Sequence, residues 1–140
     1  MKSLFLLLAI QCSPAQGLVP DQYVKIIFHY CAETGVPLYI AAGMAKEESN
    51  WNPLARNKIA GGLFQLSFAH HAEFRDRYNG GKEFSEFDPV ANTRIALRYV
   101  AHLYRHFGTY RKALTYYACG YPSGVVRSVR ELVSRELEGV

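Results

Sequence analysis

Apolar residues recur at helical spacing along most of the chain, and convincing period-two alternation is absent. After Pro20-Asp21, the residues Val24, Ile27, Phe28 and Cys31 share one face and Gly35 follows, which predicts a helix capped by Asp21. Pro37 suits the first turn of a second helix through about Asn50, stopped by Asn52-Pro53. A loop of small and polar residues leads on to Gly61-Gly62. Ser67 is placed to cap a third helix to about Tyr78; Asn79-Gly80-Gly81 closes it and is the one place where a small hairpin is expected. Asp88-Pro89 opens a long helix through Ile95, Leu97, Val100, Leu103 and Tyr104 to Phe107, ended by Gly108. Tyr110 to Ala118 forms another, stopped by Gly120 and Pro122, and a last helix starts near Ser123 with Val126, Val129, Val133 and Leu137 on one stripe. The fold class is mainly α, with no internal repeat and no linker.

The first residues read differently. Met1-Lys2 is a short positive start, and Leu4 to Ile10 is an uninterrupted run of seven apolar residues. A bilayer crossing takes about 20, so no membrane span is expected; the run reads as the core of an export signal. Ser13 and Ala15 place small residues for a cut after Ala15. Cys12 as a lipidated N-terminus is the weaker alternative, because Gln11 is a poor neighbour for that cut. The expected organisation is a signal over residues 1–15 and a single domain over 16–140, exported to the periplasm or cell wall.

At 49% hydrophobic and 20% charged over 140 residues, the chain is a one-core globular protein, and a disordered chain is excluded. Sixteen Lys+Arg against twelve Asp+Glu give a net charge of +4, which suits acidic polymers in general: nucleic acid, anionic membranes or wall material. Arg94, Arg98, Arg105, Arg111, Lys112, Arg127, Arg130 and Arg135 are scattered over three helices, with acids interleaved in the last. That is a solvated surface, and no nucleic-acid partner is expected. Once Cys12 leaves with the signal, Cys31 and Cys119 remain, as a disulfide or as two buried thiols; without a CxxC or Cys/His cluster, no cysteine zinc site is built. His102 and His106 stand four apart but lack a third ligand, so a solvated helix face is expected, with no metal and no cofactor.

One carboxylate falls where a core residue belongs. On a wheel of about 100° per residue with Ile40 at zero, Trp51 lies near 20°, Met44 near 40°, Ala41 near 100° and Ala45 near 140°, so the apolar face centres at about 60°. Glu48 lands at about 80°, inside that face; Glu47 lies at its edge, at about 340°, and Lys46 on the far side, at about 240°. Burial among apolar groups disfavours the charged form, raises the pKa and lets a glutamic acid donate a proton near neutrality. Residues 49–72 contain no Asp or Glu, whereas glycosidases ordinarily use two carboxyls about 5–10 Å apart. A partner would have to come from Glu73, Asp76, Glu83, Glu86 or Asp88; without one, the substrate itself must supply the nucleophile.

Four blocks, in order, carry a resemblance. Glu48-Ser49-Asn50-Trp51-Asn52-Pro53-Leu54-Ala55 resembles the Glu-Ser motif of lytic transglycosylases with the goose-type-lysozyme-like (soluble lytic transglycosylase, SLT) fold. Gly62-Leu63-Phe64-Gln65-Leu66 is similar to their Gly-Leu-Met-Gln block, and Asp88-Pro89-Val90-Ala91-Asn92 to their Asp-Pro-x-x-Asn block. Ala113-Leu114-Thr115-Tyr116-Tyr117-Ala118-Cys119-Gly120 resembles their Ala-Tyr-Asn-Ala-Gly block. The likeness spans roughly residues 21–126. Three departures stand out: Ala118 replaces the usual Asn, which removes a substrate hydrogen bond or shifts it to Tyr116; Phe64 replaces Met; and the loop from Ala55 to Gly62 is about one residue short.

The resemblance implies a helical, lysozyme-like domain that cleaves the β-1,4 bond between N-acetylmuramic acid and N-acetylglucosamine. It implies Glu48 as the acid, the residue the wheel selects independently. Ser49 and Gln65 are then expected to bind the glycan, Phe64 to line the cleft, Tyr117 to orient the acid or the acetamido group, and Tyr116 to supply the hydrogen bond that Ala118 cannot make. The expected partner is the peptidoglycan strand, and the small size resembles transglycosylases that open the wall for secretion or conjugation machines. A lysozyme-like hydrolase of the same bond and a non-catalytic wall-binding assembly protein are the two alternatives.

Overall fold

The computed structural model describes residues 19–119. A 3₁₀ turn, Asp21–Tyr23, leads into α1 (Val24–Thr34) and α2 (Leu38–Ser49). A two-stranded antiparallel hairpin follows, β1 (Ala60–Gly61) with β2 (Leu66–Ser67), in the register Ala60 to Ser67 and Gly61 to Leu66. A second 3₁₀ turn, Phe68–His70, precedes α3 (His71–Tyr78), α4 (Pro89–Phe107) and α5 (Tyr110–Cys119). This is the mainly α, lysozyme-like architecture the sequence predicts. The segments 1–18 and 120–140, with the side chains of Ala118 and Cys119, lie outside the described residues, and with them the expected export signal, the expected last helix and any Cys31–Cys119 pairing.

The strongest sequence signals set the helix ends. Asp88 accepts from the Val90 N–H at 3.0 Å while Pro89 supplies the first helical φ, and Gly108, at φ 82°, closes α4. Gly35, at φ 80°, closes α1 through its N–H to the Cys31 carbonyl, as predicted. Pro37 sits one position ahead of α2 rather than in its first turn, and its carbonyl accepts the Ile40 and Ala41 N–H groups.

Weaker signals gave way to tertiary context. Asp21 is inside the 3₁₀ turn, and Tyr23, without a side-chain cap, occupies the N-cap of α1. Ser67 does not cap α3; it precedes the 3₁₀ turn, and the helix begins only at His71. Phe28 is half exposed although its spacing placed it on the inner face, because α1 buries a narrow stripe through Ile27 and Tyr30. Asn79-Gly80-Gly81 forms a turn, not a hairpin; Gly81 bonds back to the Arg75 carbonyl. The hairpin stands instead in the loop after α2.

α4 is the axis of the domain. α1, α3 and α5 all pack on it, and α2 packs on α1. The core joins Ile27, Ile40, Met44, Leu63, Phe64, Leu66, Ile95, Leu97 and Leu114, all essentially without exposure. Each such side chain contributes about 1.5–3 kcal/mol by leaving water. The small residues Ala41, Ala42, Gly43 and Ala45 let α2 sink in on every side, so its buried surface is wider than one helical face. Among the described residues, no helix is long and apolar enough to cross a membrane.

Candidate active site

Glu48 occupies the last turn of α2, and only 5% of it is exposed. Neither carboxyl oxygen has a hydrogen-bond partner among the described residues. Burial pushes this carboxyl well above the usual range, and the neighbouring charge of Glu47 adds in the same direction. Glu47 itself is only partly buried, in keeping with its place at the edge of the apolar face. An unsatisfied buried polar group costs folding about 1–3 kcal/mol, so Glu48 is there for a reason other than stability.

The chain leaves α2 under strain. Asn50 and Trp51 are consecutive left-handed residues, at φ 51° and 64°. Asn50 caps the helix with its N–H on the Lys46 carbonyl at 2.8 Å, and its side chain accepts from the Lys46 ammonium. Trp51, outside the helix, stacks on Tyr23 at 5.9 Å with the rings 14° apart. Among the described residues the remaining non-glycine residue with positive φ is Gln65, at 50°. All three belong to the two blocks around Glu48 and Gln65 that carry the resemblance. Strain of about 1–3 kcal/mol per residue clusters at functional sites because the surroundings over-determine the backbone there.

The hairpin segment is braced by side-chain amides. Asn57 accepts the Ile59 and Ala60 N–H groups at 2.8 Å each and donates to Gln65 Oε1 at 3.2 Å. Gln65 Nε2 donates to the Ala55 and Gly62 carbonyls, both at 3.0 Å. Asn92, fully buried on α4, accepts the Phe64 N–H at 2.8 Å and donates to the Gly61 and Glu86 carbonyls at 3.1 and 2.8 Å. Gly62, at φ 89°, is required here: a Cβ would run into the Glu86 carbonyl and the Asn92 amide. From α5, the Tyr117 hydroxyl donates to the Phe64 carbonyl at 2.6 Å. Helices α4 and α5 and the hairpin thus meet around Phe64 and Gln65.

The structure gives several predicted site residues work that differs from the expectation. Both Gln65 amide hydrogens are spent on its own loop, so it braces the turn rather than presenting an amide to a ligand. Phe64 is wholly buried and belongs to the core rather than to an open cleft wall. Ser49 is buried, and its hydroxyl turns back onto the Ala45 carbonyl at 3.0 Å. Tyr117 is buried and joined to Phe64. Tyr116, 54% exposed, packs instead against Phe107 at 5.4 Å.

Each candidate second carboxylate is engaged elsewhere. Glu73 faces Arg77 at 3.6 Å, Asp76 pairs with Arg75 at 2.9 Å, and Glu83 binds Arg75 and His71. Glu86 contacts His71 Nδ1 at 2.5 Å, and Asp88 caps α4. Hydrogen bonds that its ring donates to the Glu86 and Glu83 carboxylates push the His71 imidazole above its ordinary value. An enclosed carboxyl whose pKa is raised by burial is suited to giving up a proton and then taking one back, and the five acids that could have supplied a nucleophile are each paired elsewhere.

The sequence model of the transglycosylase SLT domain family matches residues 25–132. The chain belongs to this family. Its membership supports peptidoglycan cleavage of the lytic-transglycosylase type and peptidoglycan as the substrate. No curated protein and no solved structure matches the chain. Among the described residues, no group of three His, Cys, Asp or Glu is arranged to hold a metal ion. Sequence pattern assigned no role to Asn92, although it closes the Asp-Pro-x-x-Asn block. The signal that found Glu48 also marks it: at about 100° per residue, Asn92 lies within about 40° of Ala96 and about 20° of Leu103 on the apolar face of α4.

Proposed function

We propose that Glu48 is the general acid and base of a lytic transglycosylase cleaving the β-1,4 bond between N-acetylmuramic acid and N-acetylglucosamine. The observation that carries this reading is a single buried carboxyl with no partner among the described residues, in the Glu-Ser block of the family. Neutral Glu48 protonates the glycosidic oxygen as the bond to C1 of the muramic acid sugar breaks, and positive charge develops at C1. The acetamido oxygen of that sugar shares the charge. Glu48, now ionised, takes the proton of the C6 hydroxyl, whose oxygen bonds to C1 and closes a 1,6-anhydro ring. Atoms balance without water, and the enzyme ends the cycle protonated.

The engagement of every other candidate carboxylate supports this route over a hydrolase with an enzymic nucleophile. Asn57, Gln65, Asn92 and Tyr117 serve it as positioning residues, holding the strained turn. Because the substrate lies outside the cytoplasmic membrane, the enzyme acts as an exported protein, in keeping with its leader-like first residues. A role in opening the wall for a secretion or conjugation apparatus belongs to the same proposal. Mass spectrometry of muropeptides released from purified wall tests it. The expected product carries 1,6-anhydro ends and is absent with Glu48→Gln; reducing ends would make the protein a hydrolase, and wall binding without turnover an assembly protein.

A further inference from the structure

Away from Glu48, a hollow of about 530 Å³ opens between the ends of α1 and α3 and the later turns of α4. Glu33 and Thr34 of its wall end α1 just ahead of α2, and Glu48 lies ten residues beyond the start of α2, about 15 Å of helix. Glu48 is not part of this hollow. Its polar wall is Glu33, Arg77, Tyr78, Arg98, His102 and Arg105.

The charges there do not cancel. Arg98 and Glu33 neutralise each other through two hydrogen bonds of 2.6 and 2.8 Å, and Arg98 also donates to the Tyr78 carbonyl. Arg105 makes no hydrogen bond or ion pair among the described residues. The one carboxylate near Arg77 among those residues is Glu73, at 3.6 Å, with both side chains more than half exposed. Such a pair is worth little in water. Tyr78 pairs with His102 Nδ1 at 3.1 Å. Two guanidinium forks therefore share one concavity in which, among the described residues, the one lining carboxylate, Glu33, is already taken by Arg98.

We propose that this hollow is a docking site for an acidic polypeptide segment of a partner protein, whose carboxylates pair with Arg77 and Arg105. Guanidinium forks match carboxylates bidentately. With Arg98 neutralised by Glu33, the hollow offers two separate guanidinium groups rather than a continuous basic track for the phosphates of a duplex, and the concave wall does not present a plane to a membrane. The site is independent of the chemistry at Glu48, so catalysis and docking can proceed at once.

The test is fluorescence anisotropy of the full chain with a short labelled peptide of alternating glutamate and glycine, at low salt. Saturable binding is expected, weakening as salt rises. The double variant Arg77→Gln/Arg105→Gln should lower affinity at least about tenfold. Arg77→Lys/Arg105→Lys, which keeps the charge, should lose several-fold by losing the forks. Lys58→Gln, exposed in the loop ahead of β1, and Glu48→Gln should bind as wild type; the latter separates this inference from the catalytic one. No saturable binding, or equal binding by the double glutamine variant, overturns the proposal. Tighter, Arg77/Arg105-dependent binding to anionic phospholipid vesicles, a short duplex or inorganic phosphate overturns the acidic-peptide assignment.

Discussion

Glu48→Gln separates folding from chemistry in one substitution. In the unfolded chain the carboxyl ionises near the ordinary value of 4.5; in the folded protein it holds its proton well above that. Between the two values the native state carries one proton more than the unfolded state, so stability falls as pH rises. The slope is about 1.4 kcal/mol per pH unit, and it ends at the raised native value, above which the loss is complete. Glutamine keeps the shape and does not titrate. Wild type and Glu48→Gln should therefore match in stability below pH 4.5 and diverge above it, the variant becoming the more stable. A gap of about 1 kcal/mol would shift Tm by about 4 °C in a domain of this size. Other titrating groups, including His71 with Glu83 and Glu86, are common to both proteins and cancel in the difference. Urea denaturation across a pH series reads the gap, and muropeptide release from the same samples reads cleavage, which the variant should lack entirely. Parallel stability curves through neutral pH would mean that the carboxyl is solvated, and the case for a neutral acid would fail.

Gly62→Ala should cost about 2–4 kcal/mol in denaturant titration, since it combines a positive φ with overlap against Glu86 and Asn92, whereas Gly80→Ala, in open space, should cost about 1 kcal/mol; equal losses would contradict the close approach. Asn92→Ala leaves the Phe64 N–H and the Gly61 and Glu86 carbonyls without their partner and should destabilise by about 3–5 kcal/mol, with a loss below about 1 kcal/mol refuting its role as brace. Tyr117→Phe removes the bond to the Phe64 carbonyl; it should cost about 1–2 kcal/mol and slow muropeptide release, and an unchanged rate would reduce Tyr117 to a packing residue.

Glu48 was legible because a charged residue on an apolar helical face is a local anomaly that two turns of sequence expose. The Glu47 and Glu48 pair was resolved the same way, one residue turning the side chain by about 100°. The sequence points to a hairpin at Asn79-Gly80-Gly81 because that is the stronger turn signal, while the observed pair at Ala60–Gly61 and Leu66–Ser67 is only two residues per strand. Such a pair depends on Asn57 and on Asn92, the latter 31 positions beyond Gly61. The Gln65 amide turns onto its own loop and the Phe64 ring into the core, although the resemblance implies contact with the glycan, because a motif gives residue types and order, not which way an amide or ring is turned.

Composition, helical periodicity, and the cap at Asp88 with the stops at Gly35 and Gly108 fixed the class of fold, the ends of its best-marked helices and the inward-facing glutamate of α2, because each depends on residues within a turn or two of one another. The tertiary structure alone decided that the Glu48 oxygens lack partners among the described residues, that Asn92 pins the hairpin, and that Arg77 and Arg105 share a hollow. Those facts depend on groups far apart in sequence competing for the same space and the same hydrogen bonds, and no local pattern encodes the outcome of that competition.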